Sequence, residues 1–397
     1  MTHHKYLIIG GGMAADAATA GIREVDHEGS IGLVGAESDP PYNRPALSKA
    51  LWKDQPLETI WRDTAARGVR LHLGHAATAI DPRTRTVTDT AGNRYRYEKL
   101  LLATGGTPRH LGFGGDDVIY YQTTQDYRRL RELSANKRDF AIIGGGFIGS
   151  EVAAALAMHD RQVTMLFPDE GISWRLFPPG LSRFLNDYYR KQGVRVLNGH
   201  TVHGMRKKAG RFVLEPSSQA THAATAVVAD AIVAGIGVAP NVELAEQAGL
   251  ELKNGIVVDA YLRTSNPDIY AAGDVAFFHE STLDESRRVE HEDNANTMGR
   301  AAGRNLAGAS ERYDHLPFFY SDLFDLGYEA VGLTNSRLQM VEDWREPYRE
   351  GVVYYLDKGR VRGVLLWNVW DQVPNARRLI AEAGPFRPED LKGRLPA

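Results

Sequence analysis

The sequence predicts an α/β chain with two doubly wound units and a C-terminal α+β domain, and three observations carry that expectation. YLIIGGGMAADAATA, residues 6–20, and FAIIGGGFIGSEVAAALA, residues 140–157, each run from an apolar strand through three glycines into a helix of small apolar residues. A strand, a tight turn and a helix start in that order open a Rossmann-like dinucleotide-binding unit. After Tyr313 the segments become short, aromatic and alternating, the pattern of an antiparallel sheet.

Taken in order, Lys5 to Ile9 is the first strand, Met13 to Val25 the helix after the turn and Ile31 to Val34 the second strand. Gly10 allows the sharp turn and Gly12 lets backbone approach a pyrophosphate. Ala14 and Ala15 start the helix, with Ala15 in the third key position where helix and strand pack closely, and the positive helix N-terminus faces the phosphates. Glu37 stands 22 residues after Ala15, close to the interval at which an acid accepts hydrogen bonds from an adenosine ribose. Its bland alternative is a surface glutamate in a loop. In PPYNRPALSKALW, residues 40–52, three prolines stiffen a loop before a short helix, and the segment carries Arg44, Lys49 and Trp52. Cations fixed in a rigid loop beside a nucleotide site suit phosphate or ring contacts. Gly68 to Leu73 and Thr86 to Val87 read as strands, and Tyr97 to Arg109 as a buried strand ending in ATGG, where Thr104 and Gly105 let the chain run close to a cofactor.

A polar, Arg-rich helix lies within Asp117 to Lys137, and the second unit begins at Phe140. Gly144, Gly146 and Gly149 fill its three key positions, and Gln162 to Phe167 is its second strand. Asp169, 20 residues beyond Gly149, takes the ribose-acid position, where a carboxylate favours a free 2′-hydroxyl and repels a 2′-phosphate. NADH is therefore expected over NADPH, with Glu170 adding to that bias and Arg175 opposing it. Gln192 to Leu197 and Phe212 to Leu214 continue the unit, and Ala229 to Asn241 brings another glycine turn. SNPDIYAAGDVAFF, residues 265–278, reads as an apolar strand ending at Gly273 and Asp274, a place from which a carboxylate bonds ribityl hydroxyls or caps the next helix. A small-residue helix covers Asn294 to Leu306, and a C-terminal helix Asn375 to Ala383.

Composition limits the chemistry. The 397 residues are 43% apolar and 24% charged, ordinary for a globular chain of two or three domains. A net charge of −3 gives no global field for nucleic acid or an anionic membrane. There is no Cys, which removes disulfides, thiolate metal sites, cysteine-ligated clusters and dithiol redox chemistry together. No metal site, no signal-peptide h-region and no membrane anchor is read from the sequence, so a cytoplasmic protein is expected.

The segments PYNRPALSKALW, YEKLLLATGGTPR, GGGFIGSE, LFPDEG, APNVELA, VEHEDNANTMGRAAGRNLAG, YSDLFDLGYEAVG and GVLLWNVWDQVPNARRLI resemble the two-dinucleotide-domain flavoproteins. That family includes glutathione-reductase-like enzymes, ferredoxin and rubredoxin reductases and apoptosis-inducing factor, and the later segments resemble the last of these most. The resemblance implies FAD in a domain of residues 1–117 and 244–313, NADH in a domain of residues 118–243, and a C-terminal α+β domain of residues 314–397. It implies that Glu37 holds the adenosine ribose, that Arg44 and Lys49 lie by pyrophosphate and isoalloxazine, and that Asp274 holds the ribityl chain. Ala79 and Trp52 join the implied cofactor contacts. Lys49 is implied to pair with Glu151, Phe147 and Ile148 to lie against the nicotinamide, and Gly237 to let the chain approach it. Glu290 and His291 match positions near flavin and nicotinamide, so Lys49, Glu151 and His291 form the implied catalytic set. Phe318, Phe319 and Tyr320 stand where ferredoxin reductases carry a tryptophan pair, with Tyr320 placed to cover the flavin, and Gln122 stands where relatives carry Arg.

The function so implied is an FAD-dependent NADH oxidoreductase passing electrons to a non-thiol acceptor: a quinone, oxygen or a protein carrier. The alternatives are a redox-sensing module that keeps NADH-derived nicotinamide in a long-lived charge-transfer complex, and a ferredoxin or rubredoxin reductase of an oxygenase system. A homodimer is compatible with either.

Overall fold

Thr2–Ile9 is a strand because its apolar side chains fill both faces of a parallel sheet: Leu7 and Ile8 are wholly buried. A computed structural model describes residues 1–218 and 225–396, and the chain divides into two units. The first comprises Met1–Pro45, Pro56–Thr107 and Ala239–Phe319, the second Ala46–Gln55, Pro108–Val238 and Tyr320–Ala397. The sequence reading kept residues 46–55 in the first domain and gave residues 314–397 a domain of their own. In the structure Lys49 and Trp52 bond to Glu151 and Tyr121 of the second unit.

In the first unit the parallel order is Val69–Leu73, Ile31–Gly35, Thr2–Ile9 and Arg94–Leu102, with Ile269–Ala271 returning along the far half of Arg94–Leu102. Leu100, Leu101 and Leu102 are fully buried there, each contributing about 1.5–3 kcal/mol by removal from water. The helix Met13–Val25 packs against Glu292–Leu306 almost backbone to backbone. A Cβ on Gly299 would collide with the carbonyl of Ala14, and one on Gly303 with that of Ala18. Only residues without side chains permit that separation.

The second unit holds a five-stranded parallel sheet in the order Arg195–Asn198, Gln162–Phe167, Asp139–Ile143, Ala231–Ala234, Val118–Ile119. It also holds an antiparallel sheet in the order Phe318–Leu323, Leu326–Gly332, Arg360–Trp367, Glu350–Asp357, Gln339–Glu346, followed by the helix Val373–Ala381. Among the described residues no helix is long and apolar enough to cross a membrane, and no group of three or more His, Asp or Glu side chains is placed to hold a metal ion.

The apolar strand expected to end at Gly273 and Asp274 is Ile269–Ala271; Gly273 turns left-handed at φ 77° and starts the tight turn Gly273–Val275, after which Ala276–Glu280 is a further strand. The short helix after Pro40 is two separate 3-10 turns, Arg44–Leu47 and Ala50–Lys53, broken at Lys49 by its non-helical backbone. Within the stretch Gln192 to Leu197, residues 192–193 close the preceding helix and the strand is Arg195–Asn198.

Candidate active site

The first cradle is set by Gly10, whose φ of 128° sends the chain sharply out of the first strand; a Cβ there would collide with the carbonyl of Ala103. Gly12 then caps the helix Met13–Val25 with no side-chain hydrogen bond to its free N–H groups, and nothing lies within 4 Å of where its Cβ would be. Open backbone and unsatisfied donors at a positive helix end fit a pyrophosphate. Ala14 and Ala15 are buried behind it. Asp16, also in this first turn, is 4% exposed and accepts from Thr64 at 2.6 Å, Arg67 at 2.6 Å and Arg62 at 3.2 Å, so its charge is balanced and anchors the helix.

Beyond the cradle Glu37 accepts from Tyr42 at 2.6 Å and from Arg44 at 2.8 Å, and the Arg44 guanidinium lies 4.9 Å from the Tyr42 ring centroid. Both carboxylate oxygens are thereby aimed, as a ribose acceptor requires. Ala79 is on the outermost strand of this sheet, exposed and paired with Thr88. The backbone that meets the Glu37 segment is instead that of Gly74, donating to Glu37 at 2.9 Å, and His75, donating to Gly35 at 3.2 Å. Thr104 and Gly105 are locked to Asn241: the Thr104 hydroxyl donates to the Asn241 carbonyl at 2.8 Å, and the Asn241 N–H to Gly105 at 3.0 Å.

At the other end of the unit, Gly273 carries Asp274, part-buried in the turn beside Ala14. Burial, then the Glu290 carboxylate, pushes Asp274 up to about 6, against the pull of Arg44 and Arg288. Glu290 pairs with Arg288 at 2.5 Å. His291 precedes the helix Glu292–Leu306 and stacks on Phe319 with centroids 4.2 Å apart. Burial, then Arg287, lowers His291 to about 4, so at neutral pH it is an uncharged imidazole, able to donate one N–H but not a spare proton.

In the second unit Gly144 repeats the turn at φ 120°, and a Cβ on it would collide with the Gly235 carbonyl. Gly149 is equally constrained by the carbonyl of Gly144. Gly146 is open and caps Phe147–Met158 with no side-chain bond, so this N-terminus fits a second pyrophosphate. Phe147 is half-buried, Ile148 is 36% exposed, and Gly237, at φ 95°, has only the Arg109 side chain near the position of a Cβ. Asp169 is 37% exposed, with Arg175 at 3.8 Å, and Glu170 is taken by Arg183 at 2.5 Å.

The most concentrated chemistry follows the second turn. Glu151 is 4% exposed and accepts from Ser48 at 2.5 Å, from the Lys49 ammonium at 2.6 Å and from Ser321 at 2.5 Å. Lys49 is 12% exposed and lies 5.3 Å from the Tyr320 ring centroid. Burial, then the charge of Glu151, holds the phenols of Tyr189 and Tyr328 far above their usual range, so neither adds a charge. Trp52, expected beside a cofactor, is 2% exposed; its N–H donates to Tyr121 at 3.0 Å and its ring edges meet Tyr127 and His159. That packing makes it the wedge that fixes the Lys49 turn. Ser48, Ser321 and Arg288 were missed by sequence reasoning, because a serine or arginine carries no positional signal until a fold brings it to a carboxylate.

Comparison with known proteins agrees with this geometry. Residues 4–299 match the family described as pyridine nucleotide-disulphide oxidoreductase, and residues 302–346 and 341–382 match the C-terminal domain of mitochondrion-associated apoptosis-inducing factor. The chain is 33% identical to apoptosis-inducing factor 1, mitochondrial, of Dictyostelium discoideum, over 95% of this chain and 78% of that protein. It is 34% identical to the ferredoxin–NAD(+) reductase component of the anthranilate 1,2-dioxygenase system of Burkholderia cepacia, over 98% and 97%. Putidaredoxin reductase, solved in covalent complex with putidaredoxin, superposes with a TM-score of 0.89 at 31% identity, over 98% of this chain and 95% of that one.

Proposed function

The chain belongs to the pyridine nucleotide-disulphide oxidoreductase family, and from that premise we propose an FAD-dependent oxidoreductase that takes electrons from NADH and delivers them to a protein electron carrier. The observation that carries the reading is the buried Lys49–Glu151 pair directly after the second glycine turn, in a chain that has a first, equivalent turn. Bound FAD supplies the acceptor for hydride and the store from which electrons leave.

The residues of the chain bind, orient and tune. Gly10, Gly12 and the N-terminus of Met13–Val25 hold the FAD pyrophosphate, Glu37 its adenosine ribose and Asp274 its ribityl hydroxyls. Gly144, Gly146 and the N-terminus of Phe147–Met158 hold the NADH pyrophosphate, with Phe147, Ile148 and Gly237 shaping the nicotinamide slot. Orientation of donor against acceptor supplies much of the rate. Within the second unit Glu151 offsets the Lys49 charge so that the ammonium can be held in a largely buried place, from which it would favour electron density added to a bound ring. The neutral His291 donates a hydrogen bond rather than a proton. With no Cys in the chain, electrons leave without a dithiol relay, which a one-electron protein carrier accommodates.

NADH is the preferred donor in this reading, because the Asp169 carboxylate, 37% exposed, stands in the ribose-acid position of the second turn, while Glu170 is paired with Arg183. Asp169→Ala lowers the NADH-over-NADPH ratio of kcat/KM about tenfold, a loss of about 1.4 kcal/mol of discrimination. An unchanged ratio assigns selectivity elsewhere. The reading as a whole is tested by anaerobic stopped-flow mixing of the purified protein with NADH, followed by a ferredoxin, a quinone or oxygen. Bleaching of a bound flavin and rapid reoxidation by the ferredoxin are expected. A protein that holds no flavin, or one that NADH does not bleach, overturns it.

A further inference from the structure

We propose that Arg288 is a positioning residue for the flavin end of the first cradle, fixing the Asp274 turn and the Glu290 carboxylate in a single arrangement; this rests on the reading of that cradle as an FAD site. The Arg288 side chain is 8% exposed, and one nitrogen, Nη1, serves two acceptors: the Asp274 carbonyl at 2.9 Å and Glu290 Oε1 at 2.5 Å. Its Nε is buried with no hydrogen-bond partner among the described residues. Leaving a buried N–H unpaired costs about 1–3 kcal/mol, so packing alone would be better served by an apolar side chain.

The surroundings are shaped for this arginine. Gly255 leaves room for its stem, since a Cβ there would come within 3.0 Å of Arg288 Cδ. On the opposite side the Asp274 turn rests on the phosphate-binding helix: a Cβ on Gly273 would lie 2.8 Å from that of Ala14. The turn is thus clamped between the helix start that meets pyrophosphate and the guanidinium that meets Glu290.

Charge gives the clamp its purpose. Asp274 and Glu290 repel one another, and Arg44 and Arg288 oppose that repulsion. Arg44 also holds Glu37 at 2.8 Å, so acids and guanidiniums alternate from the adenosine end of the cradle to the ribityl end. Removing Arg288 frees the turn and leaves Asp274 facing Glu290 with one cation fewer, so Asp274 takes up a proton at higher pH and becomes a poorer acceptor for ribityl hydroxyls.

The test is FAD retention, followed from pH 8 to 5 by the fluorescence of released flavin, with flavin absorption as a second signature. Arg288→Met is expected to weaken retention about tenfold at neutral pH and to move the acid loss of FAD upward by about one pH unit. Arg288→Lys, which keeps the positive charge beside Asp274 and Glu290, restores most of the retention. Glu290→Gln, which removes the repelling charge, moves the acid loss in the opposite direction and serves even where Arg288→Met fails to fold. Equal weakening by Met and Lys, or an acid limb that neither Arg288→Met nor Glu290→Gln shifts, overturns the proposal while the parent still binds FAD. A parent that binds no FAD overturns the functional reading and takes this proposal with it.

Discussion

The two glycine turns have nearly the same backbone and different consequences. Gly10 and Gly144 stand at φ 128° and 120°, and the capping residues Gly12 and Gly146 at φ −92°, ψ −169° and φ −87°, ψ −163°. The third position differs. Gly149 has no room for a side chain, whereas Ala15 already carries one, fully buried. In the first unit the closest approach has moved one layer outward, to Gly299 and Gly303 against the same helix. Each helix also carries a buried acid near its start, Asp16 and Glu151, each 4% exposed. Asp16 is gripped by two guanidiniums and a threonine, Glu151 by one ammonium and two serines. One frame therefore holds an acid between two guanidiniums in the first unit and beside a single buried ammonium in the second, set only by the partners supplied.

The largest effect is expected at the anchor. Asp16→Ala leaves Arg62 and Arg67 uncompensated and lowers stability by about 3 kcal/mol, read as a fall in the denaturant midpoint with little change in NADH affinity. Glu151→Gln acts on chemistry as well as on the buried Lys49: the rate of flavin reduction by NADH falls about 100-fold, about 2.7 kcal/mol of barrier, alongside a fall in melting temperature from leaving Lys49 unpaired. If melting falls and the rate holds, Glu151 is a second anchor and the contrast collapses.

Acid separates the units next. His4 is 3% exposed, its Nε2 3.2 Å from that of His72, and burial, then the neighbouring His72, lowers it from 6.5 to about 4. A depressed histidine means that the unfolded chain binds the extra proton first. The stability is present above about pH 6.5 and is lost as pH falls towards 4, up to about 3 kcal/mol. Thermal melts across that range should show the first unit loosening, and His4→Gln should flatten the dependence. Smallest is the third glycine position. Gly149→Ala costs about 1–3 kcal/mol through overpacking and weakens NADH binding, whereas Ala15→Gly costs about 1 kcal/mol of helix stability and leaves FAD in place.

Much of this frame is legible in the sequence because close backbone approach demands glycine at fixed spacing and parallel strands demand continuous apolar runs. Met13–Val25 and Gln162–Phe167 are found at the bounds read from pattern alone. Glu37 and Asp169 follow from their intervals after the turns. What the pattern does not hold is what tertiary contact creates. Ser48 and Ser321 reach Glu151 from positions 103 and 170 residues away, and no local signal marks either. Trp52 enters as a cofactor contact only through the resemblance, and the donation of its N–H to Tyr121 is a tertiary contact that no local pattern marks.

The glycine-lined meeting of Met13–Val25 with Glu292–Leu306 joins the beginning of the chain to a segment made much later. During synthesis the Arg94–Leu102 strand waits with one half of its edge unpaired until Ile269–Ala271 emerges, and the second unit's parallel sheet is made in that interval. An open parallel edge is a template for foreign strands. The nascent chain is therefore most vulnerable to misassembly between those two moments, and slowing translation before residue 269 should lower the yield of folded protein more than slowing it after residue 306.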